Sequence, residues 1–114
     1  MKWNDLKSLS QFDELVEQSY EKPQLVFKHS TSCPISAIVK SRFEGDWKKQ
    51  TLISQEQCFI LDLLANRAVS NEVAGRLSVR HESPQLLLID QGKALYNASH
   101  TSISVQDLAD FLAK

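Results

Sequence analysis

The residues of this chain best suited to chemistry lie together in Ser32–Ser36, the run SCPIS. Cys33 follows an apolar stretch and precedes Pro34, which suits the first position of a helix because its missing N–H costs nothing there. That places Cys33 in the N-cap region. The unpaired N–H groups of the first turn and the positive end of the helix dipole converge on it. Both favour an anion, hence thiolate over thiol, and the thiolate is the nucleophile of disulfide exchange. Ser36, in the third position after Cys33, can donate a further hydrogen bond to the sulfur.

The second cysteine, Cys58, reads differently. It opens the apolar run Cys58–Leu64, CFILDLL, where a free cysteine acts as a small hydrophobe. If this strand runs parallel to the one leading into Cys33, the two sulfurs lie at opposite edges of the sheet. A strand of this length separates them by on the order of 20 Å. That is far beyond disulfide reach. Cys58 is therefore expected to be inert packing. A zinc site from Cys33, Cys58, His29 and His81 lacks paired ligand spacing, so no metal is expected.

The elements that must position Cys33 follow from periodicity. Ser10 with Asp13 suggests a helix start, followed by Phe12, Leu15, Val16 and Tyr20 on one face. Pro23 closes it, and Gln24–Ser30 reads as a buried strand. Beyond Pro34, helical spacing puts Ile35, Ile38, Val39 and Phe43 on one face. That helix should fray near Gly45, with a polar loop running to Gln57. Ser70 is the expected cap of a helix carrying Val73 and Leu77. Strand Gln85–Asp90 turns at Gln91-Gly92 into Lys93–His100, and Ser104 with Asp107 opens a final helix. Trp3–Leu6 is a candidate edge strand. The order α-β-α-β-α-β-β-α predicts an α/β fold, a three-layer sandwich with a mixed central sheet flanked by helices.

Composition narrows the rest. The 114 residues suffice for one domain, 1–114, with its own core. At 42% hydrophobic and net charge −1 the chain is neither disordered nor suited to nucleic acid or an anionic membrane. No apolar run is long enough to span a bilayer. The polar N-terminus and the two cysteines point to the cytoplasm, where thiols stay reduced.

Three segments then carry a resemblance. SCPIS (Ser32–Ser36), RHESPQ (Arg80–Gln85) and ASH (Ala98–His100) together resemble the monothiol bacilliredoxins of the YtxJ type, within the thioredoxin-like superfamily. Tyr96-Asn97 departs from the Trp-x pair expected before Ala-Ser-His. The resemblance implies a thiol–disulfide oxidoreductase that reduces bacillithiol–protein mixed disulfides. Bacillithiol would be the small-thiol co-substrate, with no bound cofactor. Cys33 would be the nucleophile. Ser36 stands where a dithiol enzyme carries its resolving cysteine, so the chemistry would be monothiol. The resemblance also implies a cis Ser83–Pro84 bond in a loop facing Cys33, with the Ser83 backbone pairing with the substrate.

The hairpin supplies one more expectation. A two-residue turn at Gln91-Gly92 sets Pro84 opposite Ser99 and returns His100, Thr101 and Ser102 to the same edge. Their polar groups, beside the start of the last helix, suit a carboxylate of the small thiol. With Pro34, Ser83 and Pro84 they are the candidate ligand-binding residues. His29 and His81 with Glu82 could tune the thiolate, though a structural role is the plainer reading of each. Lys28 could attract an anionic thiol or simply face solvent. Two alternatives stay open. One is a non-catalytic thioredoxin-like binding or redox-sensing module. The other is a thiol peroxidase, whose P-x-x-x-T-x-x-C pattern is broken here by Val26 and Ser30.

Overall fold

The computed structural model describes residues 1–114. Five strands alternate with four main helices. They are β1 (Asn4–Asp5), α1 (Leu9–Gln18), β2 (Gln24–His29), α2 (Pro34–Asp46), β3 (Cys58–Asp62), α3 (Arg67–Leu77), β4 (Gln85–Asp90), β5 (Lys93–Ser99) and α4 (Val105–Leu112). The strands form one sheet in the order β1-β3-β2-β4-β5. The first three are parallel, and β4 and β5 are antiparallel to their neighbours. The expected edge strand exists, as two residues of β1 paired with β3.

Strand alternation divides the core in two. Leu25 and Phe27 of β2 join Leu86 and Leu88 of β4 on one face, covered by Val39 and Phe43 of α2 and by Val105 and Leu108 of α4. Val26, Leu87 and Ile89 point the other way, covered by Phe12 and Leu15 of α1 and Val69, Val73 and Leu77 of α3. Successive side chains of a strand face opposite sides, so central strands covered on both faces must be apolar throughout. LVF and LLLI satisfy that requirement. No helix is long and apolar enough to cross a membrane.

The sheet has two chemically different ends. Lys28 pairs with Gln85, His29 with Asp62, and Gln85 with Ser99, so the chain leaves β2, β3 and β5 and enters β4 at one end. At the other end Cys58 pairs with Leu25, and the β4–β5 turn docks on α1. There Gln91 N–H donates to Ser19 O at 3.0 Å and Gly92 N–H to Ser19 Oγ at 3.0 Å. Gln91 and Gly92 both have positive φ, 54° and 74°, the backbone of a type I′ hairpin turn. A Cβ on Gly92 would also meet the Tyr20 hydroxyl at 2.5 Å, so a larger residue there would displace the exposed Tyr20 side chain as well as strain the backbone.

Several local expectations change. Ser8, not Ser10, caps α1, its Oγ accepting from Gln11 N–H at 3.1 Å. Tyr20 lies beyond the helix end and is exposed. Helix α3 starts one turn earlier than expected, with Asn66 as N-cap, and Ser70 is buried inside it. Helix α2 ends at Asp46, one residue past the expected break near Gly45, and tightens into a short 3₁₀ turn, Trp47–Lys49. The loop beyond holds a second such turn, Gln55–Gln57. Strand β3 ends at Asp62, not Leu64, and β5 ends at Ser99, not His100. A bulge between Leu88 and Ile89 shifts the hairpin register by one. Pro84 therefore faces His100, not Ser99, and its carbonyl accepts from His100 N–H at 2.9 Å.

Candidate active site

Cys33 is the N-cap of α2, with extended backbone at φ −103° and ψ 116° and Pro34 in the first helical turn. Its N–H donates to Ser30 O at 3.2 Å and its carbonyl accepts from Ala37 N–H at 3.2 Å. The side chain is half-buried and takes no capping hydrogen bond, which leaves the sulfur available at the helix start. The positive end of the α2 dipole faces this position with no side-chain cap competing for it. Pro34 is exposed beside it.

Only one face of the first turns of α2 is covered. Ser36, Val39 and Phe43 are buried, whereas Ile35 and Ile38 are 53% and 66% exposed. Of the four apolar residues expected on one face, only Val39 and Phe43 are buried. A 3.6-residue period cannot bury positions 35, 38, 39 and 43 together once 36 points into the core. The serine won that place through hydrogen bonds. Ser36 Oγ accepts from Ser30 N–H at 3.2 Å and lies 2.7 Å from His29 Nδ1. The expected partnership of Ser36 with the Cys33 sulfur is not among its hydrogen bonds.

His29 stands at the end of β2, half-buried. Burial lowers its pKa first, and the charge of Lys40 lowers it further, while Asp62 and Glu44 oppose them. Lys40 is itself held by Glu44 at 2.8 Å. Glu44 also accepts from Trp3 Nε1 at 2.6 Å. Burial alone would raise the Glu44 carboxyl, but the hydrogen bonds from Lys40 and Trp3 outweigh it and hold the pKa below the ordinary value.

The opposite wall is the Arg80–Pro84 loop, and the Ser83–Pro84 bond is cis, as the resemblance implied. Pro84 is buried, and Ser83 Oγ is buried without a hydrogen-bond partner. Antiparallel pairing of Lys28 with Gln85 sets this loop beside the end of β2 from which Cys33 departs. Lys28 does not face solvent; it is fully buried on the α3 side of the sheet. Its Nζ donates to Ser70 O at 3.1 Å and lies 3.1 Å from His81 Nδ1. Burial pulls the Lys28 pKa down to about 8. His81 is lowered too, by burial and then by the charges of Lys28 and Arg67. The signal for this buried lysine was its position: it alternates with Val26 in a strand covered on both faces.

The three residues after β5 separate. His100 stays with the loop, its Nε2 lying 3.5 Å from Glu82 Oε2. Thr101 and Ser102 instead line a cleft of about 360 Å³ with Arg42, Asp46 and Asp107. Arg42 there already donates to Thr101 O at 3.1 Å and Ile103 O at 2.6 Å, and two carboxylates share the cleft. Neither Cys33 nor Ser83 nor His100 lines it. Ser104 caps α4 by accepting from Asp107 N–H at 3.2 Å.

Cys58 has the opposite environment. It is fully buried, its Sγ donates to Ser54 O at 3.4 Å, and burial pushes its pKa up to about 12.

Comparison with known proteins matches this arrangement. A solved structure described as a candidate oxidoreductase with a thioredoxin fold is 30% identical, with a TM-score of 0.78 over 94% of this chain and 90% of that one. Mitochondrial thioredoxin 3 of Saccharomyces cerevisiae, in its oxidized form, superposes with a TM-score of 0.73 at 12% identity, covering 97% of this chain and 93% of its own. Fasciola hepatica thioredoxin gives 0.69 at 15% identity, with 96% of each chain covered. These two relatives show the fold, which is thioredoxin-like. The profile of the family described as monothiol bacilliredoxin BrxC matches residues 4–108. Fold and family together support a thiol-oxidoreductase-like function. By that match, which takes in the Cys33 helix start and the cis-proline loop alike, the chain belongs to the monothiol bacilliredoxin BrxC family.

Proposed function

We propose that this protein is a cytoplasmic monothiol oxidoreductase that removes bacillithiol from protein mixed disulfides through Cys33. The observation that carries the reading is the contrast at the two ends of one helical turn. A half-buried, uncapped cysteine starts α2, and a buried serine fills the place where a resolving cysteine would stand. The Cys33 thiolate attacks the bacillithiol sulfur of a protein–S–S–bacillithiol substrate. The new S–S bond forms between Cys33 and bacillithiol, the old one breaks, and the protein sulfur leaves as thiolate and takes a proton from water. A second thiolate, from bacillithiol or another reductant, then attacks the adduct and frees Cys33.

The substrate lies along the cis-proline loop, where the Ser83 backbone serves as an added-strand partner. Pro34, Pro84 and His100 border the same end of the sheet. Thr101 and Ser102 line the separate cleft beside Arg42, so contact with the bacillithiol carboxylates is assigned first to His100 and the α2 helix start. The test is turnover of a defined bacillithiol-capped protein, with glutathione- and cysteine-capped forms as controls. Preferential reduction of the bacillithiol form supports the reading. Equal reduction of all three overturns the thiol assignment. No reduction of any would favour a binding or redox-sensing module.

A further inference from the structure

Lys28 is the one charged side chain buried in this core, and its hydrogen bonds reach no carboxylate. Packing alone would be served better by an apolar side chain of similar length. A buried ammonium loses its hydration and recovers only what its hydrogen bonds return. What it holds is specific. Its Nζ donates to Ser70 O on α3 at 3.1 Å and lies 3.1 Å from Nδ1 of His81 in the Arg80–Pro84 loop. An ammonium has donors and no acceptor, so Nδ1 is the bare, accepting nitrogen and the ring proton sits on Nε2. Ser70 Oγ lies 3.5 Å from the same Nδ1. The other charges near the ring, Arg67 of α3 and Glu82 of the loop, are not hydrogen-bond partners of that nitrogen.

Gln85, the cross-strand partner of Lys28, is also buried and also spends its side chain on this loop. Its Nε2 donates to Arg80 O at 3.1 Å and its Oε1 accepts from Glu82 N–H at 3.4 Å. Arg80 and Glu82 are thus held through their backbones, and His81 between them is held through its ring. We propose that Lys28 is a positioning residue: by donating to Ser70 O and His81 Nδ1 at once, its ammonium fixes the Arg80–Pro84 loop to α3 and so sets the Ser83 backbone for the substrate. This role rests on the thiol-exchange reading above and deepens it. It entails a trade-off that packing alone does not. An apolar residue in place of Lys28 stabilises the fold and weakens substrate binding.

The test compares Lys28→Met with His81→Ala and the double variant in the full chain. For Lys28→Met the urea midpoint at pH 7 should rise. Its KM for the best reduced of the three capped proteins above should rise about tenfold, with kcat within about twofold of the parent. His81→Ala should give the same KM, and the double variant no further increase, because the two side chains act through one contact. His81→Asn, whose side-chain carbonyl accepts near the Nδ1 position, should restore it. The rate of Cys33 alkylation by iodoacetamide should stay within about twofold of the parent throughout, since the loop and not the sulfur is altered. An unchanged KM in Lys28→Met, additive KM changes, or an alkylation rate that falls as KM rises overturns the proposal. Ring-nitrogen NMR of His81 needs no substrate. The Nε2–H tautomer is expected at pH 7, and an Nδ1–H ring overturns the proposal. That readout separates failure of the loop anchor from failure of the thiol-exchange reading.

Discussion

Cys33 and Cys58 are the same side chain at opposite ends of the paired strands β2 and β3. Cys58 sits in register with Leu25, fully buried, its thiol pushed up to about 12. Cys33 follows the other end of β2, half-buried at the start of a helix, with no cap competing for the helix N–H groups. The two thiols therefore differ by their place in the fold, and the proposed reactivity of Cys33 rests on that place. Buried among apolar neighbours, thiolate formation at Cys58 is penalised; at the helix start Cys33 is half-buried, with its sulfur outside the core. The Cys33 end also holds the only charged side chain of the core, Lys28, hydrogen-bonded to Ser70 O and close to His81 with no carboxylate partner.

The sharpest way to break this contrast is to remove one sulfur. Cys33→Ser should cut reduction of a bacillithiol-capped protein by about 10³-fold or more, the scale expected when a nucleophile is deleted. Far-UV circular dichroism should be unchanged. Substantial residual turnover would mean that Cys58 is not inert.

Lys28 sharpens the contrast energetically. Its pKa is about 8 in the fold against 10.5 for an ordinary lysine. Below pH 8 both folded and unfolded chains carry the charge, and the fold bears the full cost of burying it. Between about 8 and 10.5 the unfolded chain binds more protons, so stability rises with pH through that window. Lys28→Met should therefore stabilise the protein at pH 7 by on the order of 1–3 kcal/mol. The gain should vanish near pH 10.5. Urea unfolding across that range checks it, and a pH-independent gain would contradict the assignment.

Smaller effects separate the two faces of α2. Val39→Ala should cost about 1–2 kcal/mol of stability, as a buried methyl deletion does, while Ile38→Ala should stay within about 0.5 kcal/mol. If Ile38→Ala instead raises KM for the protein substrate at unchanged stability, the exposed isoleucines contact substrate. Smallest of all, Cys58→Ala should cost about 1 kcal/mol and leave turnover intact. Loss of activity without loss of folding would contradict the packing role.

Much of the architecture was legible because β2 and β4 carry the unbroken apolar runs LVF and LLLI and because α1 and α4 are amphipathic. Both patterns follow directly from layered packing. The site was legible where a residue type and a break in periodicity coincided, as at Cys33-Pro34. What was hidden depended on competition that spacing does not record. Ser8 and Ser10 are both plausible caps, and only the turn leaving β1 decides between them. Ile35 and Ile38 share a helical period with Val39, yet Ser36 took the buried face because His29 and the Ser30 N–H meet it there. The one-residue bulge in the β4–β5 hairpin moved His100 opposite Pro84, which a simple two-residue turn count does not reveal. The burial of Lys28 was implicit in its alternation with Val26, against the expectation that lysine seeks water.

The central claim is that one sulfur, at the start of α2, carries the exchange. Intact-mass and peptide mass spectrometry, after mixing reduced protein with a bacillithiol-capped substrate and quenching with acid, tests it most directly. One bacillithiol adduct per chain is expected, on Cys33, with an equivalent of freed substrate thiol. An adduct on Cys58, an intramolecular Cys33–Cys58 disulfide, or substrate reduction with no adduct at any time would contradict it.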